Sequence, residues 1–202
     1  METIIFATKN KGKIREINAI LADMDVNVIS MEDAGITIDV VEDGTTFEEN
    51  SMKKAVQIME VSGKITLADD SGLEIDYLNG EPGIYSARYA GENTSYDIKN
   101  NLLLERLTGV PDEERTARFV CAIAAAFPDG TYEIVRGTIE GRIGYEIAGE
   151  NGFGYDPIFY VPEYGCTTAE MDPEMKNKLS HRGNALRAMR AIMEKKYEGA
   201  DC

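Results

Sequence analysis

Residues 66–75, "TLADDSGLEI", set Asp69 and Asp70 side by side after an apolar run, with Ser71 and Gly72 directly behind them. Paired carboxylates can hold a hard cation and take a proton from water. A strand alternates its side chains between faces, so two adjacent acids should not share a role. The polar run predicts a turn over 69–72, between strands at 65–68 and 73–78, with both acids at a strand tip. Glu42 closes another apolar stretch and pairs naturally with Asp70 as a Mg²⁺ ligand, since that ion takes one or two protein carboxylates and keeps water or phosphate elsewhere. The alternative is that the acids only form the turn.

Three further stretches carry usable chemistry. Thr8-Lys9-Asn10-Lys11-Gly12-Lys13 lies between a strand and a helix, where hydroxyl, amide and ammonium donors meet a helix N-terminus and suit phosphate. It is not a Walker A loop, and no G-x-G-x-x-G occurs in the chain. Gly152-Phe153-Gly154-Tyr155-Asp156-Pro157 offers aromatics to stack on a flat base and a carboxylate to accept from ring N–H groups. Lys176 and Ser180-His181-Arg182-Gly183 contain the chain's one histidine beside an arginine, so His181 can serve an anion or a carbonyl. Each stretch also has a plain structural reading: a basic turn, a glycine turn with core aromatics, a helix start.

Elements that would position these residues follow from periodicity. "TIIFA" (3–7) reads as a buried strand and "IREINAIL" as a helix burying Ile14, Ile17, Ile20 and Leu21. "ITIDVV" (36–41) alternates like a strand, and Thr45 with Glu48 forms a capping box for a helix reaching about Val61. A helix is expected over 95–109, a buried strand over 117–127 turning at "PDG" into a hairpin, and a loop over 151–162 feeding a strand. Ser180 is placed as N-cap of a last helix that buries Leu186, Met189, Ile192 and Met193. Helices interleaved with strands and one hairpin define an α/β protein with a mixed sheet. The 202 residues suffice for a single domain, 1–202, with room for two lobes.

Composition narrows the function classes. The formal charge of −15 argues against nucleic acid and anionic membrane as partners. It is unevenly spread: residues 31–50 hold seven acids and no Lys or Arg, whereas 176–190 hold five Lys/Arg and no acid. That pattern suits a metal site beside an anion site, or simply solvated helix faces. Three scattered cysteines (Cys121, Cys166, Cys202), no signal peptide and no membrane span indicate a reduced, cytoplasmic chain.

Taken together, "ATKNKGKIREI", "EDGTTFEENSMKKA", "LADDSGLEIDYLNGEPGIYSARYAG", "NGFGYDPIF" and "KNKLSHRGNAL" resemble, in order and over nearly the whole chain, the inosine/xanthosine triphosphate pyrophosphatase family. The resemblance implies an elongated mixed sheet flanked by helices, two lobes with the active site in the cleft between them, and a homodimer. It implies hydrolysis of ITP, dITP and XTP to monophosphate and pyrophosphate. Thr8, Asn10 and Lys13 of the Thr8–Lys13 loop would bind triphosphate with Ser71 and Lys54. Glu42 and Asp70 would hold Mg²⁺, with Asp70 the proton acceptor and Asp69 in support. Phe153 would stack on the base, Gly154, Tyr155 and Asp156 would shape its pocket, and Lys176, His181 and Arg182 would read its 6-keto oxygen. A pyrophosphatase for modified pyrimidines and a non-catalytic nucleotide sensor are the rival readings. "GFGYDP" and "SHRG" argue against the first, and Glu42 with Asp70 against the second.

Overall fold

The structure, a computed structural model, describes residues 2–22 and 26–198; Cys202 lies outside the described residues. Its strands are β1 (Glu2–Phe6), β2 (Val26–Ser30), β3 (Thr66–Ile75), β4 (Thr116–Ala126), β5 (Tyr132–Ile143), β6 (Phe159–Val161) and β7 (Cys166–Thr167). Its helices are α1 (Lys11–Ile20), α2 (Phe47–Ser62), α3 (Tyr96–Arg106), α4 (Pro173–Leu179) and α5 (His181–Glu198). The strands hydrogen-bond in the order β2-β1-β3-β4-β5-β6-β7. β1 is parallel to β2 and β3, while β6 is antiparallel to β5 and β7, so the sheet is mixed as expected.

The chain divides into two compact units, Met1–Asp70 with Cys121–Gly137 and His181–Cys202, and Ser71–Val120 with Thr138–Ser180. In the first, strand alternation sorts the core. Ile4, Phe6 and Leu67 pack with Ile17 and Leu21 of α1 and Ala185, Leu186, Met189 and Met193 of α5. Their neighbours Ile5, Ala7 and Ala68 face the other way, onto Ala55 and Ile58 of α2. Burying such side chains stabilises by about 1.5–3 kcal/mol each, which fixes the register: a one-residue slip would exchange the two faces. In the second unit Leu73 and Ile75 of β3 pack with Leu103 and Leu107 near α3, Phe119 of β4 and Phe159 of β6.

Three expectations need correction. β3 runs unbroken through residues 66–75, so Asp69 and Asp70 sit inside a strand, not at a tip or in a turn. Residues 37–41 form no strand; Ile36 is buried and Ile38 and Val40 pack on the core, so the alternation is real but has no ladder beside it. The N-cap of α2 is Thr46, whose side chain accepts from Glu49 N at 3.1 Å, while Glu49 reaches back to Thr45 N; the capping box sits one residue later than Thr45 and Glu48. Lys176 lies on α4, an element not among those expected, and extended Ser180 leads into α5. β2 had no counterpart among the expected elements.

Candidate active site

The alternation along β3 decides what each carboxylate meets. Asp69 shares the Leu67 face, toward α1 and α5, and is fully buried. Lys13 Nζ of α1 donates to both its oxygens, at 3.0 and 2.9 Å, and Arg182 Nε of α5 lies 3.4 Å away. Burial alone would raise this carboxyl, but Lys13, Arg182 and Lys54 outweigh it and hold it well below the usual carboxylate range. Arg182 is itself buried and is gripped from α1 by Glu16. Its charge is locked in: burial opposes it, and Asp69, Cys121 and Glu16 prevail.

Asp70, 8% exposed, shares the Ala68 face, toward α2. Asn50 Nδ2 of α2 donates to Asp70 Oδ2 at 3.0 Å, and Asn50 Oδ1 accepts from Gly44 N at 2.8 Å. Burial pushes the Asp70 carboxyl up to about 6; the like charge of Glu42 adds to this, against the Asn50 amide, Lys54 and Lys13. Lys54 of α2 is paired with Glu42, and burial's pull on its ammonium is overcome by Asp69, Glu42 and Asp70. Two neighbours therefore differ sharply in proton affinity because Lys13 and Arg182 close directly on Asp69, whereas Asp70 meets a neutral amide and has the like charge of Glu42 nearby.

The loop before α1 is organised by its own polar groups. Asn10 caps the helix, its Oδ1 accepting from Gly12 N at 2.8 Å and Lys13 N at 3.3 Å, and Asn10 N donates to Thr8 Oγ1 at 3.1 Å. Asn10 thus already engages two of the amides expected to meet phosphate. Lys9 pairs with Asp39 at the surface; the Lys11 side chain is outside the described residues. His181 opens α5 and is buried.

Ser71, half-buried on β3, Lys176 and the residues 153–156 belong to the second unit. There Asp156 is a hub: Oδ2 accepts from Phe153 N and Lys176 Nζ, each at 2.8 Å, and Oδ1 accepts from Thr168 Oγ1 at 2.8 Å. Gly152 is required, because its φ is +77° and a Cβ would lie 2.2 Å from Asp156 Oδ2. Phe153 is 38% exposed, with Lys176 Nζ 5.0 Å from its ring centroid. Tyr155 is buried, packs edge-on against Tyr96 at 5.2 Å and donates to Ser86 O at 2.7 Å, while Asn100 Nδ2 of α3 donates to Gly154 O at 3.2 Å. Lys176 therefore groups with Asp156 and Phe153, and Arg182 with Asp69 and Glu16.

Sequence reasoning missed Asn50, Glu16 and Thr168. Asn50 had a signal: it falls on the inward stripe of α2 with Phe47, Ala55 and Ile58, where a polar residue needs a partner. Glu16 and Thr168 look like ordinary polar residues until their partners are known.

In the first unit of this α/β fold a buried carboxylate of raised proton affinity stands beside a second acid and anchored cations, groups equipped for hydrolytic chemistry; the second unit carries the glycine-bounded aromatic loop. The Ham1 family model matches residues 4–192, and the chain belongs to that family. A dITP/XTP pyrophosphatase from Clostridium perfringens is 50% identical over 196 residues, covering 94% of this chain and 96% of that protein. A second, from Desulforamulus reducens, is 48% identical over 194 residues, with 96% of each chain covered. Among solved structures, the Staphylococcus aureus Ham1 protein superposes with a TM-score of 0.88 at 44% identity, covering 96% of this chain and all of that one.

Proposed function

We propose that this protein hydrolyses deaminated purine nucleoside triphosphates, ITP, dITP and XTP, to the monophosphate and pyrophosphate. The observation that carries this is the splitting of Asp69 and Asp70 onto opposite faces of β3, one neutralised by cations and one left as a base. Water adds across the α–β phosphoanhydride, pyrophosphate leaves, and the proton passes to Asp70. A carboxyl near 6 is ionised at neutral pH yet basic enough to accept that proton. Asn50 fixes which Asp70 oxygen is presented. Lys13 and Lys54, joined by Thr8, Asn10 and Ser71, would offset the phosphoryl charge.

Glu42 and Asp70 fit Mg²⁺: they are two carboxylates, oxygen ligands of the kind a hard cation takes, and the charge of Glu42 raises the proton affinity of Asp70. Bound there, Mg²⁺ would neutralise phosphoryl oxygens. On the base, the family resemblance implies that Phe153 stacks and that Lys176, His181 and Arg182 favour a 6-keto oxygen. Ammonium and guanidinium groups can only donate, so a 6-amino group would leave buried donors unmet at about 1–3 kcal/mol each.

Chain length supports a single functional domain, the scattered cysteines a reduced, cytoplasmic setting and the family resemblance a homodimer; among the described residues no helix is long and apolar enough to cross a membrane. Pyrophosphate release from ITP, XTP, GTP and ATP, with and without Mg²⁺, tests the reading. ITP and XTP far above ATP, abolished by chelation, is the expected result. Equal turnover of all four would remove the base-reading residues, and no release from any would remove the activity.

A further inference from the structure

We propose that Thr168 is a positioning residue for base selectivity, its hydroxyl holding the Asp156 carboxylate in the one orientation that aims Lys176 at the purine 6-position. The inference deepens the proposed function and rests on its assignment of Asp156 and Lys176 to the base pocket.

Thr168 directly follows β7 and is buried, and its amide is already committed to Phe159 O at 3.0 Å. The main chain therefore fixes the residue, and the hydroxyl is not needed for the turn itself. That hydroxyl has one proton and two acceptors in reach, the Asp156 carbonyl at 3.2 Å and Asp156 Oδ1 at 2.8 Å. The shorter contact is to the charged group, where the hydrogen bond is stronger.

Aspartate's terminal torsion is soft, so a carboxylate held through one oxygen alone can swing its plane away from the groups bonded to it. Phe153 N and Lys176 Nζ both approach Oδ2. Thr168, bonded to Oδ1, gives the carboxylate a second point of attachment and so restrains that swing. If the carboxylate turns, the Lys176 ammonium and the Phe153 main chain lose their shared anchor together. The ammonium also lies 5.0 Å from the Phe153 ring centroid, so its displacement alters the surroundings of the aromatic face as well. A donor that is poorly fixed discriminates poorly between a keto oxygen and an amino group, because either can be accommodated by moving it.

The test compares wild type, Thr168→Val (same shape, no hydroxyl) and Thr168→Ser (hydroxyl kept) for steady-state pyrophosphate release from ITP and ATP, with IMP affinity by calorimetry and a melting curve for each. Thr168→Val should raise the ITP KM and the IMP Kd about tenfold, the loss of ~1.4 kcal/mol, and lower the ITP/ATP ratio of kcat/KM by a similar factor. The effect should fall on KM rather than kcat, and Thr168→Ser should restore all three. Should Thr168→Val not fold, Thr168→Ala carries the same expectation. A folded variant with wild-type KM, Kd and ratio overturns the proposal, as does Thr168→Ser behaving like Thr168→Val, which would assign the effect to packing. Wild type that neither prefers ITP to ATP nor binds IMP overturns the base-pocket assignment, and this inference with it.

Discussion

Asp69 and Asp70 are covalent neighbours with opposite dependences on pH. For Asp70 the folded carboxyl is raised from 3.8 to about 6, so ionising it costs more in the folded state. Its favourable contribution is complete below about pH 4 and is lost as pH rises through about 6. Asp70→Asn cannot ionise, so we expect its melting temperature to exceed wild type by a few degrees at pH 8 and to match it at pH 4. Turnover of the same variant should fall by about 10²-fold or more, the usual contribution of a positioned base. Wild-type turnover should itself decline on acidification, at a pH below the metal-free value because a cation on Asp70 lowers its proton affinity. Asp69 reverses the sign: its carboxyl is depressed, so its contribution is present above the unfolded value near 4 and is lost on acidification. Asp69→Ala leaves Lys13 and Arg182 without their shared buried carboxylate and should cost about 3–5 kcal/mol, read by denaturant unfolding at pH 7. Equal stability of Asp69→Ala and wild type would refute that account.

At the scale of elements, Gly137 of β5 lets the first turn of α5 approach. A Cβ there would lie 2.3 Å from His181 O and 2.5 Å from Ala185 N, main-chain atoms that cannot swing away. Gly137→Ala should therefore destabilise by about 1–3 kcal/mol and shift His181 and Arg182, lowering the ITP/ATP ratio along with the melting temperature. Element by element, legibility in the sequence followed whether the deciding partner was local. α1, α3 and α5 were readable because their apolar stripes repeat within one turn or two. The β4–β5 hairpin was readable from its apolar run and "PDG". The unbroken β3 was not, since Asp-Asp-Ser-Gly is a turn signal until Lys13, Arg182 and Asn50 arrive from three separate helices to accept the two charges. Residues 36–41 fail in the other direction: the burial alternates, but no neighbouring strand supplies hydrogen bonds. The candidate site shows the same division. Motif residues such as Asp70, Phe153 and Asp156 announce themselves by type, whereas Glu16, Asn50 and Thr168 matter only through what they hold.

For the whole molecule, the seven acids of residues 31–50 and the site's own carboxylates make added cation a sensitive probe. Mg²⁺ at pH 8 should raise the melting temperature of wild type by mass action, and by much less in Asp70→Asn, with chelation reversing the gain. An identical rise in both proteins would place the ion elsewhere. The chain passes between its two compact units at 70/71, 120/121, 137/138 and 180/181, and the first three passages lie inside β3, β4 and β5. No single cut in the gene yields either unit as one continuous piece. Shuffling, fusion or truncation cannot trade one half for another, so the residues proposed to handle phosphate and base are inherited as a block. New substrate preferences in such a protein must arise by point substitution within the block, at positions such as Thr168, rather than by exchange of parts.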